Sequence, residues 1–367
     1  MRYYVIAGEA SGDLHGSNLI KAIHSQDTNA DMRCWGGERM EAAGATLVKH
    51  YRELAFMGFV EVLFHLRTIL RNIEFCKKDI LAYKPDVIVL IDYPGFNMRI
   101  AEWAKKQGIK VVYYISPQVW AWKEKRVEKI KRDVDKMLVI LPFEVDFYHK
   151  WDYKVTYVGH PLIEVVNHER NIVPIELLSD KPIIALLPGS RKQEIKAKLP
   201  IMLQMVKHFP NYQFVIAQAQ AQSDELYTDL IGNEKILLVK NQTYNLLKQS
   251  TAALVTSGTA TLETALFGVP EVVCYKGNLI SYWIGKRLVK VKYISLVNLI
   301  MDKLVVTELI QSELNERNLK AALERLLHDE DYKRQLKANY EILWHKLGDN
   351  HASQLAAQEI ISVAKGG

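Results

Sequence analysis

The feature that most restricts the fold of this chain is a unit that recurs along it: a short apolar run, a loop carrying glycine, then a helical pattern. The first unit opens the chain, where residues 3–7 (YYVIA) run into GEASGD at 8–13 and a helical pattern at 14–24. A strand and turn follow at 32–37, with a helical pattern at 38–43. Better strands lie at 86–91 (DVIVLI) and 110–115 (KVVYYI), joined by a helical pattern over 100–107. Residues 137–141, after a highly charged helix, and 155–158 complete the run. Short strands punctuated by glycine and joined through helices argue for a parallel sheet.

Residues 166–182 break the alternation, with two prolines and few patterned positions. It then resumes. Residues 182–187 (PIIALL) lead into PGSR (188–191) and a helical pattern over 194–208. Strand patterns at 213–217 and 236–239 follow, with a helix near 244–249. ALV (253–255) enters SGTATLE (257–263) and a helix ending at Gly268, with a strand at 272–275 beyond. From 315 to 363 the pattern is mostly helical, interrupted by GDNH (348–351) before a last helix at 352–363. The expectation is an α/β chain with two open parallel sheets. A single long sheet is the alternative, but 367 residues and the break at 166–182 favour two domains.

Composition narrows the classes. Apolar residues are 49% and charged residues 25%, which excludes a disordered chain. Lys and Arg number 48 against 42 Asp and Glu, a net charge of +6 that suits an anionic ligand or membrane surface without selecting either. Cys34, Cys76 and Cys274 are isolated, so neither a disulfide framework nor a zinc cluster is expected and a reducing compartment fits. The start MRYYVIAGEASGD enters a strand at once, unlike a signal peptide, and no run reaches 18 apolar residues. Attachment to a membrane surface stays open.

Three strand ends carry Gly with Ser, Thr or Arg: GEASGD, LLPGSR and SGTATLE. Glycine permits a tight turn and close ligand approach, and the helix that follows offers free N–H groups to phosphate oxygens. Arg191 adds a planar fork of donors. Glu263, one turn inside its helix, is placed to reach a ribose diol while the helix start faces phosphates; a solvent-facing glutamate is the even alternative. Ordinary turn chemistry explains any one such loop, but three together point to a nucleotide. The familiar fingerprints are absent: no GxxxxGK[ST], no GxGxxG, no GxSxG around Ser11, no HExxH and no paired cysteines. Asp133 and Asp135 follow the basic run EKRVEKIKR and read as an ion-pairing face rather than metal ligands. No metal and no cofactor are expected.

In order and spacing, GEASGD (8–13), IDYPGFN (91–97), YYISPQVWAWKEKRV (113–127), LPFE (141–144), YVGHPL (157–162), LLPGSR (186–191), SGTATLE (257–263) and ISLVNLI (294–300), with Glu308 and Gln311, resemble the lipid-A-disaccharide synthase family over nearly the whole chain. The resemblance implies the GT-B architecture, two Rossmann-like domains with parallel sheets and a C-terminal crossover helix. Residues 1–165 would face acceptor and membrane, 166–182 would link, 183–345 would hold the UDP-sugar donor, and 346–367 would pack back on the first domain. It also implies the reaction. An inverting glycosyltransferase moves diacylated glucosamine from UDP-2,3-diacylglucosamine to the 6-hydroxyl of 2,3-diacylglucosamine 1-phosphate. The products are the β-1′,6 lipid A disaccharide 1-phosphate and UDP, formed in the bacterial cytoplasm at the inner face of the inner membrane.

The same resemblance assigns roles. Gly189, Ser190 and Arg191 would lie at the diphosphate, Ser257, Gly258 and Thr259 would supply backbone groups, and Glu263 would take the ribose. Asn298, Glu308 and Gln311 would complete the donor pocket. A helix start and Arg191 can stabilise departing UDP in place of a metal. Asp92 matches the family's catalytic carboxylate and would take the hydroxyl proton, given a tuned pKa; a helix cap is its alternative. Gly95 stands where family members often carry another Asp, which leaves the local carboxylate network one group short. Glu9 is the second catalytic residue, orienting the acceptor, sharing the proton or acting as the base. Ser11, Gly12, Asp13, Asn97 and His160 would bind or shape the acceptor side, His160 by positioning, while His15 suits packing.

The stretch 54–67 (LAFMGFVEVLFHLR) has a broad apolar face followed by Arg71, Lys77 and Lys78. A core helix gives the same stripe, but lipid substrates favour a helix lying in the interface of an anionic inner-membrane surface. Trp120 and Trp122 with Lys123, Lys125, Arg126, Lys129, Lys131 and Arg132 form a second candidate surface, or a packed aromatic pair beside a solvated helix. With no recognisable module and a mild charge, nucleic acid is not an expected partner. A homodimer is compatible with the family. The runners-up are a UDP-sugar epimerase of the same broad fold and a non-catalytic sugar-nucleotide-binding protein; the order of the motifs favours the transferase.

Overall fold

The computed structural model describes residues 1–53, 66–122, 124–173, 178–220, 222–232, 234–277, 292–348 and 351–366. Most of the 54–67 stretch and Lys123 therefore lie outside the described residues. The chain divides into two compact units, Met1–Pro161 with Gly348–Gly367, and Leu162–Leu347.

The first unit is built on a seven-stranded sheet of β1 (Arg2–Ala7), β2 (Asp31–Gly36), β3 (Thr46–His50), β4 (Val87–Ile91), β5 (Lys110–Tyr114), β6 (Lys136–Val139) and β7 (Thr156–Tyr157). The order is β3-β2-β1-β4-β5-β6-β7 and every pairing is parallel. Residues 3–7 and 87–91 are buried throughout, as strands covered on both faces must be. The chain runs outward from β1 to β3, then returns to β4 and runs the other way. The carboxyl ends of β1 and β4 therefore flank the switch point, where open α/β sheets bind ligands.

The second unit repeats the plan with β8 (Ile183–Leu187), β9 (Gln213–Gln218), β10 (Leu237–Lys240), β11 (Ser250–Thr256), β12 (Glu271–Tyr275) and β13 (Thr307–Ile310). Their order is β10-β9-β8-β11-β12-β13, again all parallel, with the switch point between β8 and β11. Two parallel-sheet α/β units are the expected fold class. The last helix, Ala352–Ala364, returns to the first unit and packs on the helix Ala10–Gln26 and on β4 and β5. Ala352, Ala356 and Ile360, four apart along one face, are fully buried there, and Glu359 pairs with Lys136 at 2.6 Å.

Local details differ from the sequence reading. GEASGD is not a free loop: Glu9 is the N-cap and Ala10 already begins the helix Ala10–Gln26. Gly12 allows that first turn to lie close on β1, since a Cβ there would stand 3.0 Å from Ala7 Cβ. The expected linker starts inside the helix Leu162–Arg170, whose Leu162, Ile163, Val165 and Val166 are buried in the second unit. The edge strands β3 and β13 carry mixed polar and apolar residues over four or five positions, too short for a pattern to stand out.

Candidate active site

In the first unit, Glu9 follows β1 and Asp92 follows β4, so both stand at the switch point. Asp92 (φ 44°) and Tyr93 (φ 48°) are both left-handed, a conformation costing a non-glycine residue about 1–2 kcal/mol. Neighbours hold it in place. The Asp92 carbonyl accepts from the Tyr113 hydroxyl at 2.6 Å and from Asn97 Nδ2 at 2.8 Å, while its N–H reaches the Ile115 carbonyl at 3.3 Å. Asn97 is fully buried, and the same Nδ2 also reaches the Ile91 carbonyl at 3.2 Å. Tyr93 lies flat over Gly8, where a Cβ would come 2.3 Å from the ring. That glycine is required by close approach.

This clamp acts on the backbone of Asp92, while its carboxylate accepts a hydrogen bond from the Tyr93 backbone. Burial, with the Glu9 carboxylate adding to it, pushes Asp92 up to about 6. A carboxylate in that range is ionised at neutral pH yet more basic than a free aspartate. Glu9 is half-buried and Ser11 is exposed beside it. Asp13 is turned elsewhere: its oxygens accept the N–H groups of Gly37 at 2.7 Å, Met40 at 3.1 Å and Arg39 at 3.2 Å, holding the start of the helix Glu38–Ala42. His160 is buried close to His15, and desolvation lowers them to about 3 and about 4, so both are neutral. Gly95 opens to empty space, with nothing within 4 Å of a Cβ built on it.

In the second unit, the loops after β8 and β11 stand side by side because those strands are neighbours. Gly189 (φ 117°) and Gly258 (φ 137°) take backbone conformations that other residues avoid, and each loop then starts a helix, Lys192–Leu203 and Thr259–Leu266. Two sets of helix-start N–H groups thus lie at one end of one sheet. Arg191 is half-exposed and pairs with Glu194 at 3.3 Å; the Ser190 carbonyl accepts from Gln222 at 2.9 Å. Glu263 accepts from the Tyr244 hydroxyl at 2.8 Å, and burial raises its pKa against that bond.

Ser257, Glu308 and Asn298, expected at the donor side, are joined in a single scaffold. Ser257 Oγ donates to the Ile294 carbonyl at 2.9 Å, and Glu308 accepts the N–H groups of Ile294 at 3.0 Å and Ser295 at 2.9 Å. Asn298, fully buried, accepts from Val305 and Val306 and donates to Glu308 at 2.8 Å. Gln311 (φ 54°) exchanges bonds with the backbone of Gly277 at 3.3 and 3.4 Å. Among the described residues, no three His, Cys, Asp or Glu side chains converge to hold a metal ion.

Against known proteins, the family model described as Lipid-A-disaccharide synthetase matches residues 3–360. The chain belongs to this family. The lipid-A-disaccharide synthase of Geobacter metallireducens is 38% identical over 372 residues, covering 99% of this chain and 97% of that one. The one from Coxiella burnetii is 37% identical over 364 residues, covering 97% and 96%. Among solved structures, UDP-GlcNAc 2-epimerase from Neisseria meningitidis bound to UDP-GlcNAc is similar with a TM-score of 0.72 at 13% identity, covering 99% of this chain and 100% of that one. The glycotransferase of kitacinnamycin is similar with a TM-score of 0.66 at 14% identity, covering 98% and 99%. At such identities the likeness is one of fold.

For this member of the synthetase family, the sequence reading gave no role to Tyr113, which opens the run YYISPQVWAWKEKRV, or to Tyr244, which lies in no motif. Both look like ordinary strand and helix aromatics, and only their hydroxyl partners give them a role. The two candidate tryptophans part company: Trp120 is buried edge-on to Phe143 at 4.9 Å, while Trp122 is exposed under the Arg126 guanidinium at 5.6 Å. Asp133 and Asp135 are ion-paired with Arg132 and Lys105, both at under 3 Å. Among the described residues no helix is long and apolar enough to cross a membrane.

Proposed function

We propose that this enzyme transfers diacylated glucosamine from UDP-2,3-diacylglucosamine to O6 of 2,3-diacylglucosamine 1-phosphate, with Asp92 as the general base. The observation that carries the reaction is the family match over residues 3–360. The acceptor 6-hydroxyl attacks C1 of the donor sugar, the C1–O bond to UDP breaks, the hydroxyl proton passes to Asp92, and UDP departs with the bonding pair. The raised carboxyl of Asp92 supports its part in this step, and the half-buried Glu9 beside it supports a role in orienting the hydroxyl. The helix starts at Lys192 and Thr259, with Arg191, are suited to the growing charge on the diphosphate. Glu263 is suited to the ribose. Asn298, Glu308 and Gln311 support the pocket by fixing its loops rather than by offering free groups.

The helix Leu66–Tyr83 supports a peripheral place at an anionic bilayer. Its outer face carries Leu70, Phe75 and Leu81, each nearly half exposed, around the exposed cations Arg67, Arg71 and Lys78. Vesicles rich in anionic lipid are expected to sediment the protein, and Arg71→Glu with Lys78→Glu to release it; equal binding to neutral vesicles would remove the electrostatic part.

The deciding experiment is mass spectrometry of the protein with both lipids, beside a folded Asp92→Asn variant. A tetraacyl disaccharide from the parent, cut by about 10²–10⁴-fold in the variant, is expected. Product from both would retire Asp92 as base. UDP released without the acylated acceptor, and no disaccharide, would retire the synthase reading.

A further inference from the structure

Beneath the two donor-side loops lies a charge that the mechanism above leaves unused. Lys198, on the helix Lys192–Leu203, is only 2% exposed, and its Nζ donates to Thr256 Oγ1. Thr256 is the last residue of β11 and precedes Ser257 and Gly258; beside it in the sheet stands Cys274 of β12. Among the described residues no carboxylate pairs with Nζ. Burial lowers the pKa of Lys198 and the nearby Arg191 adds to that; Glu194, itself paired with Arg191, works the other way and favours the charged form.

A buried ammonium is expensive to the fold unless something of opposite charge offsets it, and an apolar side chain of similar length would suit the same space better. The place of this one is informative. It joins the helix that follows the 188–191 loop to the end of β11, where the 257–259 loop begins, at the switch point of the sheet.

We propose that Lys198 is a positioning residue of the donor site: through Thr256 it fixes the turn at Ser257–Gly258, and its charge favours a diphosphate in the cradle above. This rests on reading the second unit as the UDP site. A nucleoside without phosphates gains nothing from Lys198, whereas a nucleoside diphosphate does.

Calorimetric titration with UDP and with uridine tests the assignment on the full chain, using Lys198→Met and Thr256→Val. Both variants are expected to bind UDP about tenfold more weakly, with uridine affinity within about twofold of the parent. The double variant should lose little more than Lys198→Met alone, because one pathway joins the two residues. If UDP affinity is unchanged, or UDP and uridine weaken together, Lys198 is a packing residue and the proposal falls. Thr256→Val keeps the test decisive should Lys198→Met fail to fold, since loss of the hydroxyl must then weaken UDP selectively. A parent that binds uridine and UDP equally would overturn the donor reading itself, and this assignment with it.

Discussion

At the scale of single residues, two buried carboxyls behave differently from their free forms and each gives a pH signature. Asp92 is raised to about 6, so the acid limb of kcat/KM should fall near that pH in the parent and vanish in Asp92→Asn. The sign for stability follows from the same shift. A carboxyl whose folded pKa lies above its unfolded value adds stability below the unfolded value and loses it as pH rises through the folded one. Asp92→Asn should therefore be more stable than the parent at pH 8, by on the order of 3 kcal/mol, and equal near pH 4. Glu271 is the second case. It is fully buried, neither oxygen has a hydrogen-bond partner among the described residues, and burial with the nearby Glu308 charge holds its pKa well above the ordinary range. Melting curves of Glu271→Gln should match the parent near pH 4 and rise progressively above it as pH climbs from about 5, by about 2–4 °C per kcal/mol gained. A constant difference at all pH values would mean that packing, not charge, decides.

At the scale of elements, the Asp92 turn depends on the meeting of β1, β4 and β5. The Asp92 turn is left-handed because Tyr113 from β5 and Asn97 from the helix Pro94–Lys106 hold its carbonyl. Tyr93 closes it by packing on Gly8 at the end of β1. A methyl group at Gly8 has no room, so Gly8→Ala must displace the ring and tilt the turn. We expect a stability loss of about 1–3 kcal/mol and a fall in kcat of about tenfold or more, with donor KM little changed. Steady-state kinetics beside denaturant unfolding separates the two losses. A variant with full kcat would show that the turn tolerates movement of Tyr93.

At the scale of the whole molecule, the first unit is discontinuous in sequence: it is finished only when residues 348–367 return to it. Ile360 and Ala356 lie fully buried on the side of the last helix that meets the first unit. Ile360→Ala should cost about 2–5 kcal/mol. The loss should appear as faster amide hydrogen exchange in β1, β4 and β5, with exchange in β8 and β11 unaltered. Equal loosening of both units would show that their stabilities are coupled.

The doubled α/β plan is legible in the chain alone, because strands buried on both faces and glycine-bearing strand ends are local patterns, each contained in one short window. The sequence also placed Glu9, Asp92 and Arg191 at strand ends or helix starts and Glu263 one turn inside its helix, since those positions follow from where each run stops. Which polar groups of the motifs are tied up by the fold depends instead on contacts between segments far apart in the chain. Asp13, Asn298 and Glu308 carry the same polar groups as their neighbours in the motifs, yet their hydrogen bonds are taken up by backbone groups from other segments. Burial of Lys198 and Glu271, and the rise of Asp92, depend on strands and helices far away in sequence. A pKa and a clamp are properties of surroundings. The chain supplies the groups, and the packing of distant segments sets the dielectric and the partners that give each one its chemistry.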